Sequence, residues 1–301
     1  MKFRVNAFAY DCSRREVVTF GGSTESLQPK FSNETWLWRQ GKWIQAHPSH
    51  SPPARASALI GYDPAEHIVV LVGGGSGYVG NERIYLSDTW AWDGADWSQQ
   101  LGPAAASPSR VKQPALDSLL QDAFAYYPPM RGMVLTGLDG TWLFRAGSWA
   151  RLADPSPVAT YFGPAMAYLP AIGKLLLYIP GCSCAHNTFL FDGHRWTLDP
   201  SGDWTNTVPG YWGMVYDAAH HDVAWVAGQV RNSASAPLSS DVLTNDGSGW
   251  VVHPAILPHD DTLRTVGIVY DSALGSIVMF GVDPAGNYGS WIWSGEGWAL
   301  M

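Results

Sequence analysis

An all-β fold, made of six copies of one four-stranded antiparallel sheet, is what the sequence predicts, and three observations predict it. The first is a ladder of tyrosines: Tyr10, Tyr62, Tyr126, Tyr168, Tyr216 and Tyr270 each end a short apolar run and precede a turn rich in Asp, Pro, Gly or Ser. The second is a ladder of tryptophans, Trp43, Trp97, Trp149, Trp196, Trp250 and Trp298, whose successive spacings are 54, 52, 47, 54 and 48 residues. The third is the punctuation between them, an apolar run stopped by glycine, a variable loop and an aromatic alternation. Turn residues at such short intervals bound strands. A period near 51 residues is too long for a leucine-rich or ankyrin unit and fits the blade of a six-bladed β-propeller.

Residues 57–97 hold the clearest copy: an Ile-Val-Val-Leu-Val run stopped by Gly73-Gly74, then Thr89-Trp-Ala-Trp92, a turn and Trp97. Gly21-Gly22 repeats the double glycine, and the later copies keep Gly137, Gly181, Gly228 and Gly281. Thr35-Trp-Leu-Trp38, Thr141-Trp-Leu-Phe144 and Ser290-Trp-Ile-Trp293 repeat the aromatic strand. Thr188-Phe-Leu-Phe191 is a weaker copy, and Asp241-Val-Leu-Thr244 has lost both aromatics. With the double glycine after the second strand, the aromatic pair in the third and the Trp opening the fourth, the chain resembles the kelch repeat family, which includes the central domain of galactose oxidase. A WD-type propeller fits less well, because no Gly-His precedes the Trp-Asp pair.

The repeat makes residues 1–301 a single domain with blades at about 5–45, 57–99, 122–152, 164–198, 211–253 and 266–301. Each copy holds four strands of its own, so the ring is expected to close by packing blade six on blade one without a shared strand. Residues 1–4 are placed to add an edge contact. Composition agrees: 46% hydrophobic and 15% charged residues exclude a disordered tail or a charged solenoid, and 32 glycines, 21 prolines and 16 tryptophans suit many turns and stacked sheets. Helical periodicity is confined to one short stretch, 115–121. It ends a 21-residue connector, 101–121, which reads either as a lid or binding loop or as a tolerated solvent loop.

A formal charge of −8 argues against nucleic acid, whose phosphates call for clustered Lys and Arg. No stretch of 18 apolar residues is present, so no membrane span is expected. Met-Lys-Phe-Arg-Val leads straight into the first strand with no apolar leader core, so a cytoplasmic, monomeric protein is expected. Three cysteines, an odd number, argue against a disulfide scaffold, and Cys12 reads as a bystander thiol in a hairpin turn.

A propeller hosts many functions, so function has to be argued from the site. The loops after each second strand and the connectors into each first strand should gather at one mouth of the central channel. Arg55, Tyr78, Arg83, Tyr161, Phe162, Tyr211, Trp212, Arg231, Asp283 and Tyr288 are the ligand-binding candidates there. They combine aromatic faces with a few convergent polar groups, as pockets do. Asp139 and Glu25 are the candidate general acid or base.

Cys182, Cys184 and His186 form the sharpest local cluster. Thiolate and imidazole suit zinc or copper. Alternate residues on an extended strand, however, stand about 6.5–7 Å apart, so sharing one metal requires the loop to curl. Metal binding, a reactive thiol and an incidental role all remain open. His220-His221-Asp222 and His259-Asp260-Asp261 read as solvated turns. No nucleophile elbow, dinucleotide loop or phosphate loop occurs. The Tyr and His copper ligands of related oxidases and the carboxylate and His iron site of the specifier proteins have no counterpart that can be assigned, so no cofactor is expected.

Two functions therefore stand. One is a module binding a small molecule, peptide or glycan at the channel mouth. The other is a cofactor-independent isomerase, lyase or cyclase using the same cavity.

Overall fold

Sheets set radially around an axis have both faces covered by neighbours, and this dictates the apolar patterning of each strand. The computed structural model describes residues 7–24, 29–79, 82–100, 122–137, 140–152, 156–157, 164–179, 188–199, 211–227, 242–254, 264–282 and 288–301. The side chains of 82, 83, 211, 212, 227, 264–266, 282 and 288 fall outside the description.

Blade one is Phe8–Asp11, Glu16–Phe20, Thr35–Arg39 and Lys42–Ala46; blade two is Leu59–Asp63, Ile68–Val72, Thr89–Trp92 and Trp97–Gln100. Blade three is Ala123–Tyr127, Gly132–Gly137, Gly140–Arg145 and Ser148–Arg151; blade four is Ala165–Leu169, Lys174–Tyr178, Thr188–Phe191 and Trp196–Leu198. Blade five is Tyr211–Asp217, Asp222–Ala227, Val242–Asn245 and Trp250–His253; blade six is Arg264–Asp271, Ser276–Val282, Tyr288–Trp293 and Trp298–Leu300. Each sheet pairs its four strands antiparallel in chain order, giving the six-bladed propeller.

The second strands show the patterning rule directly. Val17, Val18, Val69, Val70, Leu71, Leu175, Leu176 and Leu177 are all 0% exposed, so these runs are apolar without alternation. The core is correspondingly divided into six clusters, one in each seam between adjacent blades.

Two side-chain devices explain the repeated residues. The closing tryptophan of one blade donates its indole N–H to the threonine that opens the third strand of the preceding blade. Trp97 bonds Thr35, Trp149 bonds Thr89 and Trp196 bonds Thr141, each at 2.9 Å, and Trp250 bonds Thr188 at 3.1 Å. In blade five the threonine position is Val242, whose side chain carries no acceptor. Within a blade the same tryptophan pairs with the aromatic residue opposite it, as in Trp92 with Trp97 and Phe191 with Trp196, at centroid distances of 5.5 and 4.9 Å.

The second device caps the inner hairpins. Asp11, Asp63, Asp217 and Asp271 follow four of the six tyrosines, and each carboxylate accepts the N–H groups two and three residues on. That is why these aspartates are buried. All six inner turns end in a residue with φ between 51° and 68°, namely Arg15, His67, Arg131, Gly173, His221 and Gly275.

The ring closes by packing, and no strand is shared among the described residues. Phe8 stacks on Phe280 at 5.1 Å with an 11° interplanar angle, and Trp38 and Trp43 cover the same ring. Gly267 makes room for Phe8, because a Cβ there would stand 2.2 Å from its ring.

The structure adds one element that the sequence reading left as a variable loop. A hairpin, Gly75–Val79 with Glu82–Tyr85, is inserted between the second and third strands of blade two. Its glycines mask the strand alternation. The connector 101–121, with its expected helix, and residues 1–4 lie outside the described residues. No helix among the described residues is long and apolar enough to cross a membrane.

Thr35→Val should lower unfolding free energy by about 1–3 kcal/mol, because it leaves the buried Trp97 indole N–H without its acceptor. Urea denaturation of the two proteins checks this.

Candidate functional site

Among the described residues, the first strand of every blade pairs on one side only, with its own second strand. The other edge faces the axis, so six rows of main-chain N–H and C=O groups look inward. Between them lies a cavity of about 560 Å³ lined by the first strands of all six blades. Its wall is mainly Ala, Gly, Val, Ile, Met and Phe, and Asp122 is the one formally charged side chain among the described lining residues.

All six repeat tyrosines line this cavity. They end the innermost strands, which places them together at the inner-hairpin end of the channel. Four hydroxyls are engaged. That of Tyr10 accepts from the Ala273 N–H at 3.3 Å and meets Ser272, both in the blade-six turn. The hydroxyl of Tyr62 bonds Ser13 of the blade-one turn and lies 3.4 Å from His67 Nδ1. Tyr216 lies 3.5 Å from His221 Nδ1, and the Tyr270 hydroxyl accepts from the Ala219 N–H of the blade-five turn. The hydroxyls of Tyr126 and Tyr168 make no hydrogen bond among the described residues.

Burial is the first cause that raises the titration of Tyr10, Tyr126, Tyr216 and Tyr270, and it pushes Tyr62 up to about 12. These phenols therefore face the channel as neutral donors and acceptors. They entered the sequence reading only as repeat markers. The signal that could have revealed their second role was position, since six residues ending six innermost strands must converge on the axis.

Of the sequence candidates, only Arg55 and Tyr78 are described with their side chains. Glu25, Asp139, Tyr161, Phe162, Arg231, Asp283, Cys182, Cys184 and His186 lie outside the described residues. Arg83, Tyr211, Trp212 and Tyr288 are placed by backbone alone, each within a strand. Tyr78 sits on the inserted hairpin, 43% exposed, with its ring 6.5 Å from Phe31. Neither Tyr78 nor Arg55 lines the axial cavity.

Arg55 is 0% exposed and fully engaged in the join between blades one and two. It donates to Pro53 O and Gly73 O at 2.9 and 2.8 Å and grips both carboxylate oxygens of Asp88 at 2.6 and 2.8 Å. Burial alone raises Asp88, but the hydrogen bonds from Arg55 and from the Trp90 indole outweigh it and hold the carboxyl below its ordinary range. Asp222 is a correction to the solvated-turn reading. His220 and His221 are exposed turn residues, but Asp222 opens a strand and is half-buried. Among the described residues no three His, Cys, Asp or Glu side chains are grouped to hold a metal.

No protein-family model matches the sequence, and no curated protein matches it either. Many solved structures resemble the fold, two of them as follows. One, reported as the structure of YjhT, is 11% identical with a TM-score of 0.54, covering 79% of this chain and 80% of that one. The other is a structural-genomics protein of unknown function from Bacteroides thetaiotaomicron, 11% identical with a TM-score of 0.52, covering 97% of this chain and 67% of that one. At such identity the likeness concerns the fold alone.

Arg55→Ala should destabilise the protein by about 3–5 kcal/mol by leaving the Asp88 carboxylate half-buried and unpaired. Because the Asp88 carboxyl is lowered, the pair's contribution is present above the ordinary carboxylate value of 3.8 and is lost as pH falls through the lower folded value. Denaturation of wild type and Arg55→Ala from neutral to strongly acid pH should show the gap between them closing.

Proposed function

We propose that this chain is a ligand-binding propeller whose axial channel takes a small neutral molecule rich in hydrogen-bonding groups, or the neutral end of a glycan or peptide. The observation that carries the reading is the axial cavity of about 560 Å³, faced by six unpaired strand edges and six tyrosines with one charged side chain in its described wall.

Three physical arguments support it. The volume lies in the range of small-molecule sites, about 300–1,000 Å³. Main-chain groups and phenols offer donors and acceptors without charge, and an ion brought there would lose hydration without gaining a counter-ion. Each unmet polar group costs about 1–3 kcal/mol, so an occupant able to bond several edges at once is favoured. Tyr126 and Tyr168 are the side chains we assign to ligand contact.

We also infer that the blades are of kelch type, supported by the double glycines. Gly21, Gly22, Gly73 and Gly74 all have positive φ, 77°, 107°, 63° and 100°. In this reading the chain works as a monomer with a small-molecule partner and without nucleic acid. A cytoplasmic setting goes with it, supported by the odd cysteine count of three and the exposed free thiol of Cys12.

Native mass spectrometry of protein purified without denaturant should find a bound mass, and neutral sugars, amides or nucleosides should raise its melting temperature. The Tyr126→Phe/Tyr168→Phe protein should bind about tenfold more weakly, at about 0.5–1.5 kcal/mol for each lost hydrogen bond, with its own stability little changed. A protein that carries no mass and responds only to charged compounds contradicts the reading.

A further inference from the structure

The seams between blades are alike in packing but not in charge. In blades one and five, and in no other blade, the last residue of the first strand and the first of the second are both acidic and directly opposed: Asp11 with Glu16, and Asp217 with Asp222. Both acid pairs face the next blade. Two carboxylates held together at a half-buried seam repel unless something neutralises them.

Blade one neutralises its pair with two arginines. Arg14 lies 2.6 Å from Asp11, and Arg39 bonds Glu16. Arg14 also reaches across the seam to blade two, donating to His67 O at 3.1 Å and to Asp93 O. Guanidinium is charged at all ordinary pH values, so this seam holds one charge state.

Blade five puts a histidine in the place of Arg14. His220, three residues after Asp217, lies 2.9 Å from it through Nδ1. The place of Arg39, one residue beyond the aromatic position, is taken by Asp246. Among the described residues Asp222 therefore has no cation of its own. Its Oδ1 is buried without a hydrogen-bond partner among the described residues, and the carboxylate also meets the Thr244 hydroxyl, which lies 2.9 Å from His253 Nε2. Among the described residues, the other groups facing this cluster are Tyr216 and His221 on blade five, and on blade six Tyr270, the Trp293 ring 6.5 Å from His253, and the outer turn with Gly295 and exposed Glu296.

The geometry points to a proton-operated clasp between blades five and six, in which protonated His220, bonded to Asp217 beside Asp222, does at mildly acid pH what Arg14 does permanently between blades one and two. Both shifts act in one direction. His220 is raised, first by its bond to Asp217, and Asp222 is raised, first by burial and then by Asp217. A raised folded value means the folded seam holds its proton more tightly than the open chain. The stabilisation from His220 is therefore full below its ordinary value of 6.5 and is lost as pH rises through the higher folded one. Tyr216 and Tyr270 line the axial cavity, so a looser clasp also loosens one side of the channel wall.

Amide hydrogen exchange on the whole protein, corrected for intrinsic rates, tests this at about pH 5.5 and about pH 8, values that bracket the histidine range. The comparison is between protection of Trp250–His253 and Arg264–Asp271 and protection of Phe8–Asp11 and Leu59–Asp63. The ratio of blade five–six to blade one–two protection should fall several-fold from acid to alkaline pH. His220→Arg should flatten that dependence at the acid, well-protected level, and Asp222→Asn should reduce it while raising protection at about pH 8. A ratio that does not change with pH in the wild type, or that keeps its full pH dependence in both variants, overturns the clasp.

Discussion

The hydrogen bond from a tryptophan indole to a threonine one blade earlier is the contact on which the ring depends. A four-stranded sheet standing alone would expose two apolar faces, so no blade is complete until its neighbours cover it. Dispersion and apolar burial supply most of that association but have no direction. The indole N–H does have direction: buried against Thr35, Thr89, Thr141 or Thr188, it is satisfied in one register only. Present at four successive seams, it helps to fix how far each of those blades rotates from the last. The same logic explains closure without strand exchange, where Phe8 on Phe280 and the space above Gly267 serve as the final seam.

Much of this was legible in the sequence because propeller geometry imposes rules on residue types. Tryptophan and threonine recur because they bond each other across seams. The Tyr-Asp pairs recur because the aspartate caps the inner hairpin that the tyrosine enters. Second strands lack alternation because both of their faces are interior. Blade five was the hardest to place, and the structure shows why: Val242 and Asn245 replace the threonine and the aromatic, and the indole latch there has no threonine to meet. The inserted hairpin of blade two stayed hidden because glycines 73–75 and 77 read as a loop although they form a strand entry.

The site was less legible. Residue type and a place in a blade connector made Arg55 a ligand group, but it is fully occupied by the fold, since a guanidinium suited to a carboxylate ligand is equally suited to Asp88. Conversely, the tyrosines looked like scaffold and turned out to line the cavity. Spacing locates a residue along a strand, whereas its distance from the axis depends on which strand is innermost. Once that is known, the channel's character follows: six open sheet edges, neutral phenols and little charge, beside one seam whose neutrality depends on protons.

The central claim is that function resides on the axis, at the neutral tyrosine-lined hub. The measurement that tests it most directly is electron density along that axis in crystals of protein purified without denaturant. The account predicts ordered density, other than water, within hydrogen-bonding distance of the Tyr126 and Tyr168 hydroxyls. A hub holding only water, with a ligand found instead on the outer rim or against the hairpin Gly75–Val79 and Glu82–Tyr85, would contradict it.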